Sequence, residues 1–509
     1  MPNLKRSAVI ALAVISLASC GSLPEQVVHS NEPVTFTSST LSQLSAQSEP
    51  SEVAADSSSV VLQESGWDAL AQRLALVESA EHTIDIQYYI WNSDISGLYL
   101  ANRLYAAADR GVKVRVMLDD INLNEREDLL TALNAHPNIE IRVFNPIPTR
   151  RGVTKWLNFL GDFSRLNRRM HNKSFTVDGA FSIVGGRNIG DEYFDLSEQI
   201  NFKDRDVLVS GEVVTEIQSG FVDYWNSRWA YPVELLGGEV DTSLPTSDQI
   251  TKPSYANYPL LPDNKADSVQ LLTRVMEEAH WVDANYIYDD PIPQEVSDTD
   301  TPKRTAQYLS KLVDTATDSV IMESAYLVFD DSQLEEWQKL EQTGVNVKAL
   351  TNSMASNDLV TNHSAYAGRR QDMLEHGIDL YELKPDSELC VESTKDSNKC
   401  APSVAYGLHT KSLVIDDRIA SIGSFNFNLR STYLNTESIL VINDQEVATM
   451  LNDKMEQTFV EENSWHLELK DGDVYWLSGD SEWDKEPETG KWRRMQSGFL
   501  QLLPIEKYL

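Results

Sequence analysis

A His, a Lys, an Asp, a Gly and an Asn recur at identical spacing in two distant parts of the chain. His171-x-Lys173 is followed by Asp178 and by Gly185-Gly186-Arg187-Asn188, and His409-x-Lys411 by Asp416 and by Gly423-Ser424-Phe425-Asn426. Each copy supplies an imidazole, an ammonium and a carboxamide. These are a nucleophile or proton carrier, a fixed positive charge and a neutral hydrogen-bond donor, which is what displacement at a phosphodiester needs. One imidazole cannot be nucleophile and acid at the same instant, so two copies are chemically required. His171, Lys173, Asn188, His409, Lys411 and Asn426 are therefore the candidate catalytic residues. The chemistry needs no metal and no organic cofactor, and no Cys/His spacing suggests zinc.

Carboxylates also recur. Asp206 precedes the apolar run Val207-Leu208-Val209, and Glu437 precedes Ser438-Ile439-Leu440-Val441-Ile442. A carboxylate there would accept the second N–H of each imidazole, fixing its tautomer and raising its basicity. Asp204 is a weaker candidate than Asp206 for the first of these places. Asp178 and Asp416 fall on turns and are read as organising those turns rather than reacting.

The elements that must position these groups are repeated too. Trp67, Leu70, Leu74 and Val77 have helical spacing and lead into the strand pattern 83–90, a helix over 98–108 stopped by Gly111, and a strand over 112–118. The second half repeats the order: a strand at 319–322, a helix over 332–341 stopped by Gly344, and a strand over 345–350. Short apolar strands, 175–177 and 413–415, continue from each His-x-Lys, so His and Lys are expected on one strand face. The chain thus reads as an α/β protein with an internal repeat. Its first half would span residues 61–250 and its second 251–509, after a polar tether over 20–60 that is too poor in large apolar residues to fold alone.

Composition narrows the partners. With Asp and Glu at 78 against Lys and Arg at 43, the formal charge of -35 repels polyanions and argues against a nucleic-acid binder. The sign reverses locally at Arg150, Arg151, Lys155, Arg165, Arg168, Arg169 and Lys173. Between these charges stand Trp156, Leu157, Phe159 and Leu160, which suit a segment at a membrane surface; the other reading is a buried helix flanked by solvated charges. Residues 1–19 read as a signal peptide, with Lys5 and Arg6 before an apolar run too short to span a bilayer. Leu17-Ala18-Ser19-Cys20-Gly21 resembles a lipobox, with Cys20 as the lipidated residue, and a plain secretory signal is the alternative. Ser22 points to the periplasmic side of the outer membrane. In that oxidising compartment Cys390 and Cys400 are expected to pair, which would stabilise by about 2–3 kcal/mol in the chain-entropy model.

The pattern H-x-K-x4-D-x6-G-G/S-x-N, present twice, resembles the phospholipase D superfamily. Flanking stretches such as Gln87-Tyr88-Tyr89-Ile90-Trp91, Thr351-Asn352-Ser353 and Trp476-Leu477-Ser478-Gly479 resemble its cardiolipin synthase C branch. The resemblance implies two phospholipase D-like halves, each a mixed sheet flanked by helices, related by a pseudo-twofold axis and sharing one active-site cleft. It further implies phosphatidyl transfer between phospholipids, phosphatidylglycerol and phosphatidylethanolamine among them, through a phosphatidyl-histidine, with His171 as nucleophile. Hydrolysis to phosphatidic acid is the near alternative, and a nuclease or a non-catalytic lipid-binding envelope protein the remoter ones. Tyr88, Arg187, Ser424 and His363 are the implied substrate-binding residues. Tyr88 and Tyr89 alternate on one strand, so one must pack in the core while the other lines the cleft. The closing Phe499-Leu500-Gln501-Leu502-Leu503-Pro504 suits core or edge packing and tolerates membrane contact.

Overall fold

In the computed structural model, residues 38–51, 54, 56–123, 127–147, 163–236, 250–255, 257–291 and 301–501 are described, together with residue 23. The apolar leader, Cys20, the run Trp156 to Leu160, and Leu502 to Pro504 lie outside the described residues.

The strands in chain order are β1 (Ser58–Gln63), β2 (Thr83–Tyr88), β3 (Lys113–Asp119), β4 (Ile139–Phe144), β5 (Ser174–Val177), β6 (Phe181–Gly185), β7 (Ile200–Lys203), β8 (Asp206–Gly211) and β9 (Ala230–Pro232). They continue with β10 (His280–Tyr288), β11 (Ser319–Ser324), β12 (Asn346–Asn352), β13 (Asp379–Leu383), β14 (Ala405–Leu408), β15 (Lys411–Ile415), β16 (Ile419–Gly423), β17 (Ser438–Asn443) and β18 (Ser464–Lys470). In the first half the neighbours run β4-β3-β2-β5-β6-β8-β1, and in the second β13-β12-β11-β15-β16-β17-β10. The two orders match term by term. β1 and β10 then pair with each other antiparallel, Ser58 opposite Val282, so one sheet runs through both halves. A second junction is the parallel pair β7 and β14.

Local sequence explains the helix ends. Asp94 caps the helix Ile95–Asp109 by accepting Gly97 N–H, and Asp330 with Gln333 makes a capping box on Asp331–Gln342. Gly111 and Gly344 follow these helices with φ of +100° and +96°, a left-handed turn that glycine adopts without a Cβ clash. Inward-facing aliphatics of both halves then meet in a shared core: Val184, Val207 and Val209 belong to one cluster with Val414, Ile422 and Leu440.

Two expected boundaries move. Residues 40–48 were read as tether, yet Thr40–Ser48 is a helix capped by Ser39, with Leu41 and Leu44 buried in the first half's core. Two leucines three residues apart make a sufficient apolar face once a core exists to receive them, and average composition hides that. The second shift is at residue 250: Tyr255 and Tyr258 pack on Trp67, and Leu272 and Met276 of the helix Lys265–Met276 join the first half's core. The repeat itself restarts at β10.

Ion pairs also tie the halves together. Arg205 bridges Glu64 and Glu323, the latter at 2.8 Å, and donates to Ser412 Oγ at 2.7 Å; Lys203 Nζ reaches Glu323 at 3.1 Å. Cys390 and Cys400 form a disulfide.

Candidate active site

Each His stands at the start of its hairpin rather than within it. β5 begins at Ser174 and β15 at Lys411, so His171 and His409 lie just outside the ladders. They are held by the opposite half instead. His171 N–H donates to Thr436 O at 2.8 Å, and His409 N–H to Lys203 O at 2.8 Å. Lys173 Nζ donates to His171 O at 2.7 Å, and Lys411 Nζ likewise to His409 O.

The carboxylate partners are crossed. His171 Nδ1 lies 2.7 Å from Glu437 Oε2, and His409 Nδ1 lies 2.5 Å from Asp204 Oδ2. Each half therefore orients the imidazole of the other, and Nε2 is the ring nitrogen left for a substrate. Asp206 does not take the place expected for it. Its carboxylate meets Arg73 Nη2 at 2.7 Å and accepts the Arg187 N–H at 3.1 Å. The register gives the reason: Gly185 faces Asp206 while Gly423 faces Ile439, so the equivalent of Glu437 is Asp204. Counting from the apolar runs misaligned the two carboxylates by two residues.

Glu437 is itself held by hydroxyls, Ser424 Oγ at 2.6 Å and Ser431 Oγ at 2.6 Å. Ser424 thus orients the carboxylate, and nothing at position 431 in the sequence signals this role. Asn188 Oδ1 accepts the Ile90 N–H at 3.2 Å, whereas Asn426 Oδ1 is buried with no hydrogen-bond partner. Aromatic rings complete the walls: Tyr89 packs edge-on against His171, with ring centroids 4.9 Å apart, and Tyr193 against His409 at 5.1 Å.

The electrostatics follow from burial among cations. Burial lowers His171 to about 4, with Lys173 and Lys411 adding to it and Glu437 opposing. Burial lowers His409 to about 3, with Lys411 and Lys173 adding and Asp204 opposing. Lys173 is pushed down to about 7 by burial and by Lys411, and Lys411 to about 8 by burial. Burial would raise both carboxylates, but His171 and Lys173 hold Glu437 below its usual range, as His409 and Lys411 do for Asp204. At neutral pH the site therefore holds two neutral imidazoles between two carboxylates and two lysines whose charge is easily lost. A phosphodiester anion placed between the lysines would be bound by charge and by the amides.

Comparison with known proteins identifies the family. The family described as cardiolipin synthase, PLD-like domain, matches residues 74–225 and 309–459, once on each half. The chain belongs to the phospholipase D superfamily. Cardiolipin synthase C of Escherichia coli (strain K12) is 36% identical over 454 residues, which cover 87% of this chain and 94% of that one. An uncharacterized protein of Helicobacter pylori (strain ATCC 700392 / 26695) is 30% identical over 481 residues, 92% of each chain. The crystal structure of phosphatidylserine synthase from Haemophilus influenzae Rd KW20 shares the fold with a TM-score of 0.56 at 12% identity, covering 88% of this chain and 95% of that one.

Within this phospholipase D-type enzyme, three of the residues proposed for substrate contact lie elsewhere. Tyr88 is buried, and its hydroxyl accepts from Arg73 Nε and Nη2, each at 3.1 Å; its neighbour Tyr89 is the one at the site. Strand alternation required that one of the two face inward, but the sequence did not say which. Arg187 is also buried, its guanidinium spent on the carbonyls of Gln63, Glu64, Asp204 and Tyr193. His363 is buried in the helix Val360–Glu375, with Nε2 3.0 Å from Glu486 Oε1. Asp178 accepts the N–H groups of Glu81, His82 and Thr83, and Asp416 those of Thr317, Asp318 and Ser319. Both have φ near +50°, so these carboxylates brace the turns opposite the site. Among the described residues no helix is long and apolar enough to cross a membrane, and no group of three or more His, Cys, Asp or Glu could hold a metal ion.

Proposed function

We propose that this enzyme makes cardiolipin by moving a phosphatidyl group from one phospholipid to the headgroup hydroxyl of phosphatidylglycerol. His171 Nε2 attacks phosphorus of the donor, the bond to the headgroup oxygen breaks, and His409 gives that oxygen a proton. The phosphatidyl-histidine is then attacked by the acceptor hydroxyl, whose proton passes to His409 as the P–N bond breaks. Lys173, Lys411, Asn188 and Asn426 hold the non-bridging oxygens; losing one such preorganised donor typically costs about 10²–10³ in rate.

The observation that carries this reading is the crossed pairing of His171 with Glu437 and His409 with Asp204, which leaves two Nε2 atoms for one phosphorus. The resting charges suit the nucleophile, and the acid must be charged on binding. His171 is neutral and ready to attack, while His409 needs a proton to act as acid. Burial and the two lysines discharge His409; a bound phosphodiester brings one negative charge beside Lys173 and Lys411, which offsets the lysines' share and favours a proton on it. The similarity to cardiolipin synthase C over 94% of that protein supports phosphatidylglycerol as acceptor. The Cys20 anchor would hold the enzyme on the periplasmic side of the outer membrane.

The test is incubation of purified protein with phosphatidylethanolamine and phosphatidylglycerol in mixed vesicles with EDTA, following cardiolipin and phosphatidic acid by mass spectrometry. Cardiolipin made by wild type and lost in His171→Ala is the expected outcome. Phosphatidic acid alone, equally dependent on His171, would make water the acceptor and the enzyme a phospholipase.

A further inference from the structure

The helix Lys491–Leu500 is the wrong way round for a helix packed on a globular core. Its buried residue is Ser497, 1% exposed, whereas Trp492, Met495 and Phe499 are 66, 57 and 65% exposed. These three recur at i, i+3 and i+7 and so share one face. Val360 and Leu500 extend that face, which lines an open depression of about 580 Å³. Leu359, also exposed, adjoins it. Charge follows the same arrangement. Lys491, Arg493 and Arg494 crowd the helix start, a local reversal of sign in a chain of formal charge -35.

The helix is fixed beside the site. Arg493 Nη2 donates to Asn357 O at 2.5 Å, and Arg494 Nη1 to Glu486 O at 3.0 Å. Next to Asn357, the Asp358 carboxylate accepts the Tyr326 hydroxyl at 3.0 Å and acts electrostatically on Lys411, and on the Tyr193 that packs against His409. The helix is thus joined through Asn357 to the loop whose Asp358 acts on Lys411 and Tyr193.

We propose that this face docks on an anionic phospholipid bilayer, with Trp492, Met495 and Phe499 entering among the headgroups and Lys491 and Arg494 lying against lipid phosphates. Apolar anchors with a Trp, beside Lys491, Arg493 and Arg494 on an otherwise acidic protein, match the chemistry of such a surface. Docking here would bring the Asn357 and Asp358 loop, and with it one side of the site, toward the lipid surface. The proposal rests on the reading of the substrate as a bilayer phospholipid.

Two measurements test it. Met495→Cys carrying an environment-sensitive fluorophore, in the full chain with Cys20→Ser and His171→Ala, should blue-shift on phosphatidylglycerol vesicles, be quenched by brominated acyl chains, and respond far less to phosphatidylcholine. In otherwise wild-type protein, Trp492→Ser with Phe499→Ser should lose roughly 100-fold in turnover on vesicles and keep its turnover of a short-chain phospholipid dissolved as monomers. A fluorophore that stays in water at saturating lipid overturns the proposal. So does a blue shift that depends on protein concentration without lipid, which would mark a contact between copies, and so does equal loss on both substrates. If wild type turned over neither lipid, phosphatidyl transfer would fail while the fluorophore, in inactive protein, still decided docking.

Discussion

Raising the pH from 6 to 8 should weaken the binding of a phosphodiester-like anion about 20-fold. Lys173 titrates at about 7 and Lys411 at about 8 in the empty site, both well below an ordinary lysine, because burial disfavours their charge. A bound anion restores that charge, so each lysine discharged beforehand must recover its proton on binding. At pH 8 Lys173 is about ten parts neutral to one charged and Lys411 about one to one, which multiplies to about 20. The sign follows: both groups are charged below their folded values, so affinity is full near pH 6 and falls through 7 and 8. The ligand should be a phosphonate monoester, whose single charge is constant over this range, titrated calorimetrically into His409→Gln so that only the lysines respond. Comparing buffers of different ionisation enthalpy should give uptake of about 1.4 protons at pH 8 and about 0.1 at pH 6. Lys173→Arg, with a permanently charged guanidinium, should reduce the loss to about twofold. Wild type should take up more than the variant, the excess being the proton placed on His409. Affinity that is flat from pH 6 to 8, with no proton uptake, would instead mean that both lysines are fully charged in the free enzyme.

Three further outcomes follow from named contacts. Glu437→Gln should lower kcat by roughly 10²–10⁴ with little change in KM, since the amide can hold the wrong tautomer of His171, as in other triads; quenched turnover should trap the phosphoryl adduct on His171, and an adduct on His409 would reverse the assignment. Tyr88→Phe should cost about 1–3 kcal/mol in denaturant unfolding by leaving the buried Arg73 Nε without an acceptor, yet leave KM unchanged, because that hydroxyl is committed to the core. Arg205→Met should destabilise by about 3–5 kcal/mol, seen as a lower unfolding midpoint, because Glu323 is buried and would retain only Lys203 and Thr458.

The sequence by itself determined the chemistry and the repeat. Two His-Lys-Asn sets at equal spacing are legible because spacing along a short hairpin is fixed by local geometry, and the helix stops at Gly111 and Gly344 are written in residue type. The α/β class and the matching order of the halves followed from the same local patterns. What only the tertiary structure decided is which groups meet across the halves. Asp204 serves His409 and Glu437 serves His171 over more than two hundred residues of chain, a pairing set by the β6 to β8 and β16 to β17 registers rather than by any spacing. The choice of Tyr89 over Tyr88 depended on which face of β2 the core covers, a parity that alternation leaves open. Arg187 read as a substrate contact because it stands inside the cassette, but four backbone carbonyls converge on it only in the folded chain. His363 likewise is a substrate contact by resemblance, but in the folded chain its helix and Glu486, from a distant segment, close around it. Local pattern fixes what a residue is able to do, and long-range packing fixes what it faces.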